Sequence, residues 1–235
     1  MKNKNSVKTL IEKANPSHQR LRMARYEHIV SLIEKKHNNT VLDLGCGLAP
    51  ISYMLPRDNK LILVDRLTGD DFFNGRMGKD SHNRVFSSIP NHPNAELKDW
   101  DLDRELPIPD KSVDLVIASS VMPYIKNIHL FLDNIHRVLK KNGIVVGDVT
   151  NSCSLTNRLK WLFGKLPSRS AHPYYVDMDR HINNFTFRSI ENLFRQQGFI
   201  IKTSSMGLWH GDTKILPSWA IKKTFSHAII FKASK

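Results

Sequence analysis

Val41-Leu42-Asp43-Leu44-Gly45-Cys46-Gly47-Leu48-Ala49-Pro50 is the stretch on which the reading of the fold turns. Val41–Leu44 is a short apolar run, and it stops at a glycine. That pattern suits a strand buried on both faces of a parallel sheet. Gly45 and Gly47 let the chain turn sharply and let a ligand approach bare backbone. Pro50 is a favoured first residue of a helix, so a helix begins around Ile51–Leu55. A strand, a glycine turn and a helix in this order present unpaired N–H groups toward any anionic group nearby.

Working outward, the same alternation repeats. Ser17 to Lys36 reads as a helix, with Leu21, Ala24, Ile29, Leu32 and Ile33 near helical spacing. Leu61–Val64 is a second buried strand that ends at Asp65. Glu96–Trp100 and Val113–Ala118 read as the third and fourth strands. An amphipathic helix carries Ile128, Phe131, Leu132, Ile135, Val138 and Leu139 and stops at Asn142-Gly143. Ile144–Val149 is a fifth strand. Phe187–Gln197 is a helix with Thr186 as N-cap and Gly198 just beyond it. Phe199–Thr203 and Ala228–Lys232 are two late strands. Repeated β-α-β units over residues 41–150 predict an α/β fold with a Rossmann-like, doubly wound, mostly parallel sheet and helices on both faces. The whole chain, 1–235, is expected to be one domain. Residues 1–40 form an arm and helix, and 67–94 and 151–185 are cap or insert segments. The 67–94 stretch is long and polar, as in lids.

In such sheets ligands bind at the carboxyl ends of the strands, at the switch point. Asp65 lies 20 residues after Gly45 and could accept hydrogen bonds from both hydroxyls of a ribose. Asp101-Leu102, just past the third strand, offers one polar and one apolar contact for an adenine. A dinucleotide fingerprint needs a third glycine where this chain has Pro50, and there is no glycine-lysine phosphate loop. Asp43 would repel phosphate and favour an ammonium or sulfonium. A ligand with a ribose, an adenine and a positive centre is S-adenosylmethionine.

These strings resemble the core of the class I S-adenosylmethionine-dependent methyltransferases, in the branch often labelled type 11. The resemblance covers about two-thirds of the chain. It is carried by VLDLGCGLAP (41–50), LILVDR (61–66), DLDRELPIPDKSVDLVIAS (101–119), HRVLKKNGIVVGD (136–148) and HINNFTFRSIENLFRQQGF (181–199). It implies seven strands, the last antiparallel. It also implies that Asp43, Gly45, Cys46 and Gly47 hold the methionine part of the cofactor. Asp65, with Arg66 beside it, would bind the ribose, Asp101 and Leu102 the adenine, and Ser119 would line the floor. The chain departs from the pattern at two places. Ala49 stands for the usual third glycine, and Pro123-Tyr124 for a common Glu-His after the fourth strand. The second departure removes a histidine from the cofactor edge.

A hydroxyl acceptor must also lose its proton, and a positioned base contributes about 10²–10⁴-fold. His181 is the candidate base, since histidine titrates near neutrality. Tyr124 and Asp148, at strand ends, are candidate partners on the acceptor side. His172, Asn151 and Arg180 are weaker candidates. The turn Ser120-Val121-Met122-Pro123-Tyr124 lacks the paired prolines typical of base and amide methylases. Metal ligands are not expected, because His82 and His92 match no compact metal spacing.

Composition sets the outer bounds. Two cysteines in 235 residues, Cys46 and Cys153, cannot form a disulfide framework and point to a reducing, cytoplasmic setting. No apolar run approaches the roughly 20 residues of a membrane span. The net charge of +13 sits at the ends. Residues 1–40 carry nine Lys/Arg against three acids, 41–150 carry 13 against 15, and 151–235 carry 13 against four. Basic surfaces attract phosphate, nucleic acid or anionic lipid. The expected acceptor is a small polar metabolite, sugar or glycan precursor methylated on oxygen. RNA tracked by the basic ends is a less favoured alternative, and so is a lipid-linked acceptor met at a membrane surface through the basic amphipathic stretch 155–166.

Overall fold

The computed structural model describes residues 19–66, 92–164, 181–207 and 224–235. Cap residues 67–91 and 165–180, and with them His82, His172 and Arg180, lie outside the described residues, as do residues 1–18.

The apolar runs become strands because both of their faces are covered. β1 (Thr40–Leu44), β2 (Lys60–Asp65), β4 (Val113–Ser119) and β5 (Leu139–Thr150) form the middle of the sheet. Val41, Leu42, Leu44, Leu61, Val116 and Val146 are all fully buried there. β3 (Ala95–Asp99) lies at one edge, largely exposed. β6 (Ile200–Gly207) and β7 (Ser226–Ser234) complete a seven-stranded sheet in the order β3-β2-β1-β4-β5-β7-β6. β7 pairs antiparallel with both of its neighbours, and the other pairings are parallel. The sheet grows outward from β1 in two directions, so the switch point falls between the carboxyl ends of β1 and β4.

Side chains alternate between two apolar layers. Leu42, Leu44, Val64, Val116 and Val145 pack under α3 (Ile128–Val138) and α5 (Phe187–Gln196). Val41, Leu61, Leu63, Leu115 and Val146 pack under α1 (Gln19–Ser31) and the short α2 (Pro50–Met54). Helices therefore cover both faces, as expected. The remaining helix, α4 (Leu155–Leu162), follows β5.

Some boundaries differ from the sequence reading. α1 ends at Ser31, five residues before Lys36, because Leu32 and Ile33 donate to Ile29 and Val30 in tight i→i−3 turns. α3 ends at Val138, and Leu139–Asn142 join β5 instead. Leu139 pairs with Val113, the register then shifts, and Asn142 takes a positive φ of 66°. Asn142-Gly143 thus marks an irregularity inside a strand, not the end of the helix. β6 and β7 run longer than the apolar pattern suggested. Thr203, Ser204 and Ser205 stay in the ladder through backbone pairing to β7. Thr186 caps α5 as expected, in a reciprocal pair with Ser189.

Candidate active site

The glycine turn folds back over the end of β2. Gly45 and Cys46 both donate to the Val64 carbonyl, at 2.8 and 3.1 Å. Gly45 has φ 65°, and a Cβ there would lie 2.4 Å from the Val121 methyl Cγ2. It is a glycine because Val121, just after β4, presses on it. Gly47 has φ 50°, and a Cβ there would meet nothing within 4 Å. One glycine is closed by packing and the other faces open space. Ala49 occupies the left-handed region at φ 48°, where the family's glycine would sit without strain.

The turn reaches the distant carboxylate directly. Gly47 N–H donates to Asp65 Oδ2 at 2.6 Å, and Arg66 N–H donates to Asp65 Oδ1 at 2.8 Å. Carboxylate oxygens accept more than one hydrogen bond each, so this geometry is compatible with a vicinal diol. Trp100 N–H donates to the Asp65 backbone carbonyl, which brings Asp101 and Leu102 beside the same corner. Leu102 packs against the α3/α5 layer, while Asp101 Oδ1 accepts from the Asp103 N–H. The Arg66 side chain is exposed.

Asp43 is different from Asp65. It is 3% exposed, and only Ser52 Oγ, at 2.6 Å, reaches its side chain among the hydrogen bonds described. Burial pushes the Asp43 carboxyl up to about 7; the Ser52 hydroxyl opposes this and the nearby Asp65 charge adds to it. The group therefore sits between its neutral and charged forms near neutral pH. Cys46, also buried, has its thiol pushed upward by burial and then by the Asp43 and Asp65 charges. It is a packing residue without nucleophilic character.

The acceptor-side residues fall into two clusters. In the first, Ser119 Oγ donates to Asp148 Oδ1 at 2.6 Å, Ser120 Oγ donates to Oδ2 at 2.8 Å, and Arg25 of α1 approaches Oδ2 at 3.2 Å. Asp148 is 1% exposed. Burial opposes the Arg25 charge, and the Asp148 carboxylate with Tyr26 outweighs it, so the guanidinium pKa is raised. In the second, the rings of Tyr124 and His181 meet edge to face with centroids 5.1 Å apart. Two backbone N–H groups, Ile182 and Asn183, hold this contact by donating to the Pro123 carbonyl at 2.8 and 3.1 Å. An isolated bridge between Asn151 and Phe185 anchors the same segment beside β5.

Sequence reasoning missed Arg25, Ser52, Ser120 and Val121. Arg25 had a signal: it lies four residues after Leu21 and four before Ile29, so a charge occupies the apolar stripe of α1. No group of three metal-ligating side chains occurs among the described residues.

A doubly wound sheet with a glycine turn and a strand-end carboxylate at its switch point is an architecture suited to binding a nucleoside cofactor. A methyltransferase-domain family model matches residues 17–203, and the chain belongs to that family; it is an S-adenosylmethionine-dependent methyltransferase. No curated protein matches the chain. Solved structures share its fold at low identity. One is a putative methyltransferase from Haloferax volcanii in complex with the Trm112 activator (TM-score 0.66, 15% identity, 98% of this chain and 96% of that one). Another is a possible histamine N-methyltransferase from Thermotoga maritima (TM-score 0.60, 14% identity, 97% and 99%). A third is 1,6-didemethyltoxoflavin-N1-methyltransferase from Burkholderia thailandensis, bound to its substrate and S-adenosylhomocysteine (TM-score 0.56, 15% identity, 90% and 78%).

Proposed function

We propose that this methyltransferase acts on a hydroxyl of a small polar metabolite, sugar or glycan precursor, with His181 as the base that takes the proton. The observation that carries this reading is the His181–Tyr124 contact at the carboxyl end of β4. Two residues 57 positions apart meet beside the switch point, where an acceptor would lie. Bound S-adenosylmethionine supplies a methyl group already activated by its sulfonium. The chain's task is then to align the acceptor and remove a proton. Alignment of this kind can supply roughly 7–11 kcal/mol.

The cofactor roles follow from the groove. Gly47, with open space on its Cβ side, lets the ligand approach the backbone, and Asp65 receives the ribose hydroxyls. Asp101 and Leu102 border the adenine. Asp43, Gly45 and Cys46 shape the methionine end. Ser119 contributes to the floor through its bond to Asp148. With both oxygens engaged by Ser119, Ser120 and Arg25, Asp148 is a positioning residue for that floor. The free thiols Cys46 and Cys153 are consistent with a reducing compartment such as the cytoplasm.

The acceptors named for two of the structural neighbours, histamine and a toxoflavin precursor, are small molecules, which supports the size class. Both are named for nitrogen. The choice of oxygen therefore rests on the histidine, because an amine needs less help with its proton. A labelled-methyl screen over sugars, polar metabolites, lipids and RNA tests the reading. With the accepted substrate, His181→Gln should lower kcat about 10²–10⁴-fold and remove the acidic limb of its pH profile, leaving cofactor affinity unchanged. An N-methylated product, or a variant with an unaltered pH profile, refutes the oxygen assignment.

A further inference from the structure

The helix after β5 is built inside out. At α4 and its N-cap the buried residues are polar: the N-cap Ser154 is 1% exposed and Asn157 of the helix 5%, and the Asn157 amide donates to the Asn151 carbonyl at 3.0 Å. Large apolar side chains face solvent instead. Leu159 is 47% exposed, Trp161 58%, Leu162 75% and Phe163 74%. Leu159, Leu162 and Phe163 stand at i, i+3 and i+4, so they share one face. The helix closes with Phe163 donating to Leu159 and Gly164 to Trp161, which fixes Phe163 at its tip. A soluble helix buries the opposite side. Contiguous exposed aromatic and aliphatic side chains of this kind mark an interaction surface.

Charge decides what covers it. α4 itself carries Arg158 and Lys160 and no acidic residue. Arg158 is exposed beside the apolar face. An apolar groove on another protein would take Leu162 and Phe163 but would have to supply acids for the cations. An anionic bilayer surface satisfies both at once: Trp, Phe and Leu enter the headgroup boundary while Lys and Arg meet lipid phosphate. Among the described residues no helix is long and apolar enough to cross a membrane, so the contact would be peripheral.

We propose that α4 docks this protein onto an anionic lipid surface. The docking places the acceptor side near the bilayer, because Ser152, at the root of α4, donates to the Asn184 side chain at 3.1 Å, three residues from His181. It stands independently of the atom that is methylated.

Co-sedimentation of the full chain with vesicles tests it, comparing phosphatidylcholine alone with phosphatidylcholine containing 30% phosphatidylglycerol. Binding is expected to the second and to be at least about tenfold weaker to the first, falling as salt is raised. Leu162→Glu/Phe163→Glu should reduce it by a further factor of ten or more, and Arg158→Gln/Lys160→Gln by a smaller factor. Arg158, Leu162 and Phe163 are exposed and Lys160 is half-buried, and unchanged S-adenosylmethionine affinity by calorimetry confirms that the variants fold. Three results overturn the proposal. They are equal binding to both vesicle types, binding that survives the Leu162/Phe163 change, and a dimer that the same change converts to monomer, which would show a second copy covering the face.

Discussion

Asp43 makes the cofactor reading measurable. With its carboxyl at about 7 in the cofactor-free fold against 3.8 as the ordinary value, Asp43 is held neutral by burial below neutral pH. The sign follows directly. Below pH 4 it is neutral in both folded and unfolded chains, and its contribution to stability is fully present. Between pH 4 and 7 the unfolded chain loses the proton and the folded chain keeps it, so stability falls as pH rises. At about 1.4 kcal/mol per unit the loss reaches about 4 kcal/mol near pH 7 and then levels off. Asp43→Asn removes this dependence. Denaturant unfolding at half-unit steps from pH 4.5 to 8 should show the variant gaining on the wild type by a few kcal/mol across that window. A cationic ligand end facing Asp43 would favour the charged carboxylate, so binding S-adenosylmethionine should expel its proton. Calorimetry at pH 6.5 in buffers of different ionisation enthalpy should find more than half a proton released by the wild type. The difference between wild type and Asp43→Asn isolates Asp43 from the ligand's own amine. If that difference is zero while the stability curves diverge as described, Asp43 is a buried acid that does not face the positive centre. If the stability curves run parallel as well, the burial argument itself is wrong.

The two glycines should separate cleanly. Gly45→Ala drives a methyl into Val121 at a left-handed position and should cost about 2–5 kcal/mol of stability, whereas Gly47→Ala should cost only the backbone strain, about 1–2 kcal/mol, and lower cofactor affinity instead. Unfolding curves and calorimetric titration distinguish them, and equal destabilisation by both would contradict the open groove at Gly47. Arg25→Met leaves Asp148 buried against Ser119 and Ser120 without its counter-charge and should cost about 3–5 kcal/mol, read by denaturant unfolding. If Arg25→Met combined with Asp148→Asn loses as much as Arg25→Met alone, Arg25 acts through packing and not through its charge.

What the sequence revealed and what it hid follow from the range of the interactions involved. The corner proposed to take the nucleoside is assembled from strand ends and the turns that leave them, so each part is written locally. Val41–Leu44 stops at Gly45, Leu61–Val64 stops at Asp65, and the parallel ladder places Asp43 beside Leu63 and Ile117 without further instruction. Only the cause of each glycine had to wait for structure. Val121, 76 positions away, is what excludes a side chain at Gly45, and no spacing rule points to it. The helix and strand limits that moved are the ones governed by backbone pairing. Leu139 continues the apolar spacing of α3, yet it pairs with Val113 and belongs to β5.

The acceptor side is written in the other way, through pairs whose partners lie far apart. In the sequence Asp148 is a strand-end candidate for the acceptor side; in the structure α1 brings Arg25 to it, and the same helix joins His28 to Ser204 at 3.0 Å. α1 is therefore pinned by polar contacts to Asp148 of β5 and Ser204 of β6, over the face that Asp43 and Asp148 share. Its register is set by Arg25 inside an otherwise apolar stripe, since sliding the helix by one residue would bury that charge without Asp148. Tyr124 and His181 meet on the same logic, through backbone bonds from residues 182 and 183 to Pro123. A fold of this class can keep one nucleoside corner while the acceptor changes, because that corner depends on short-range turns, and the proposed acceptor side on long-range contacts that can be exchanged one pair at a time.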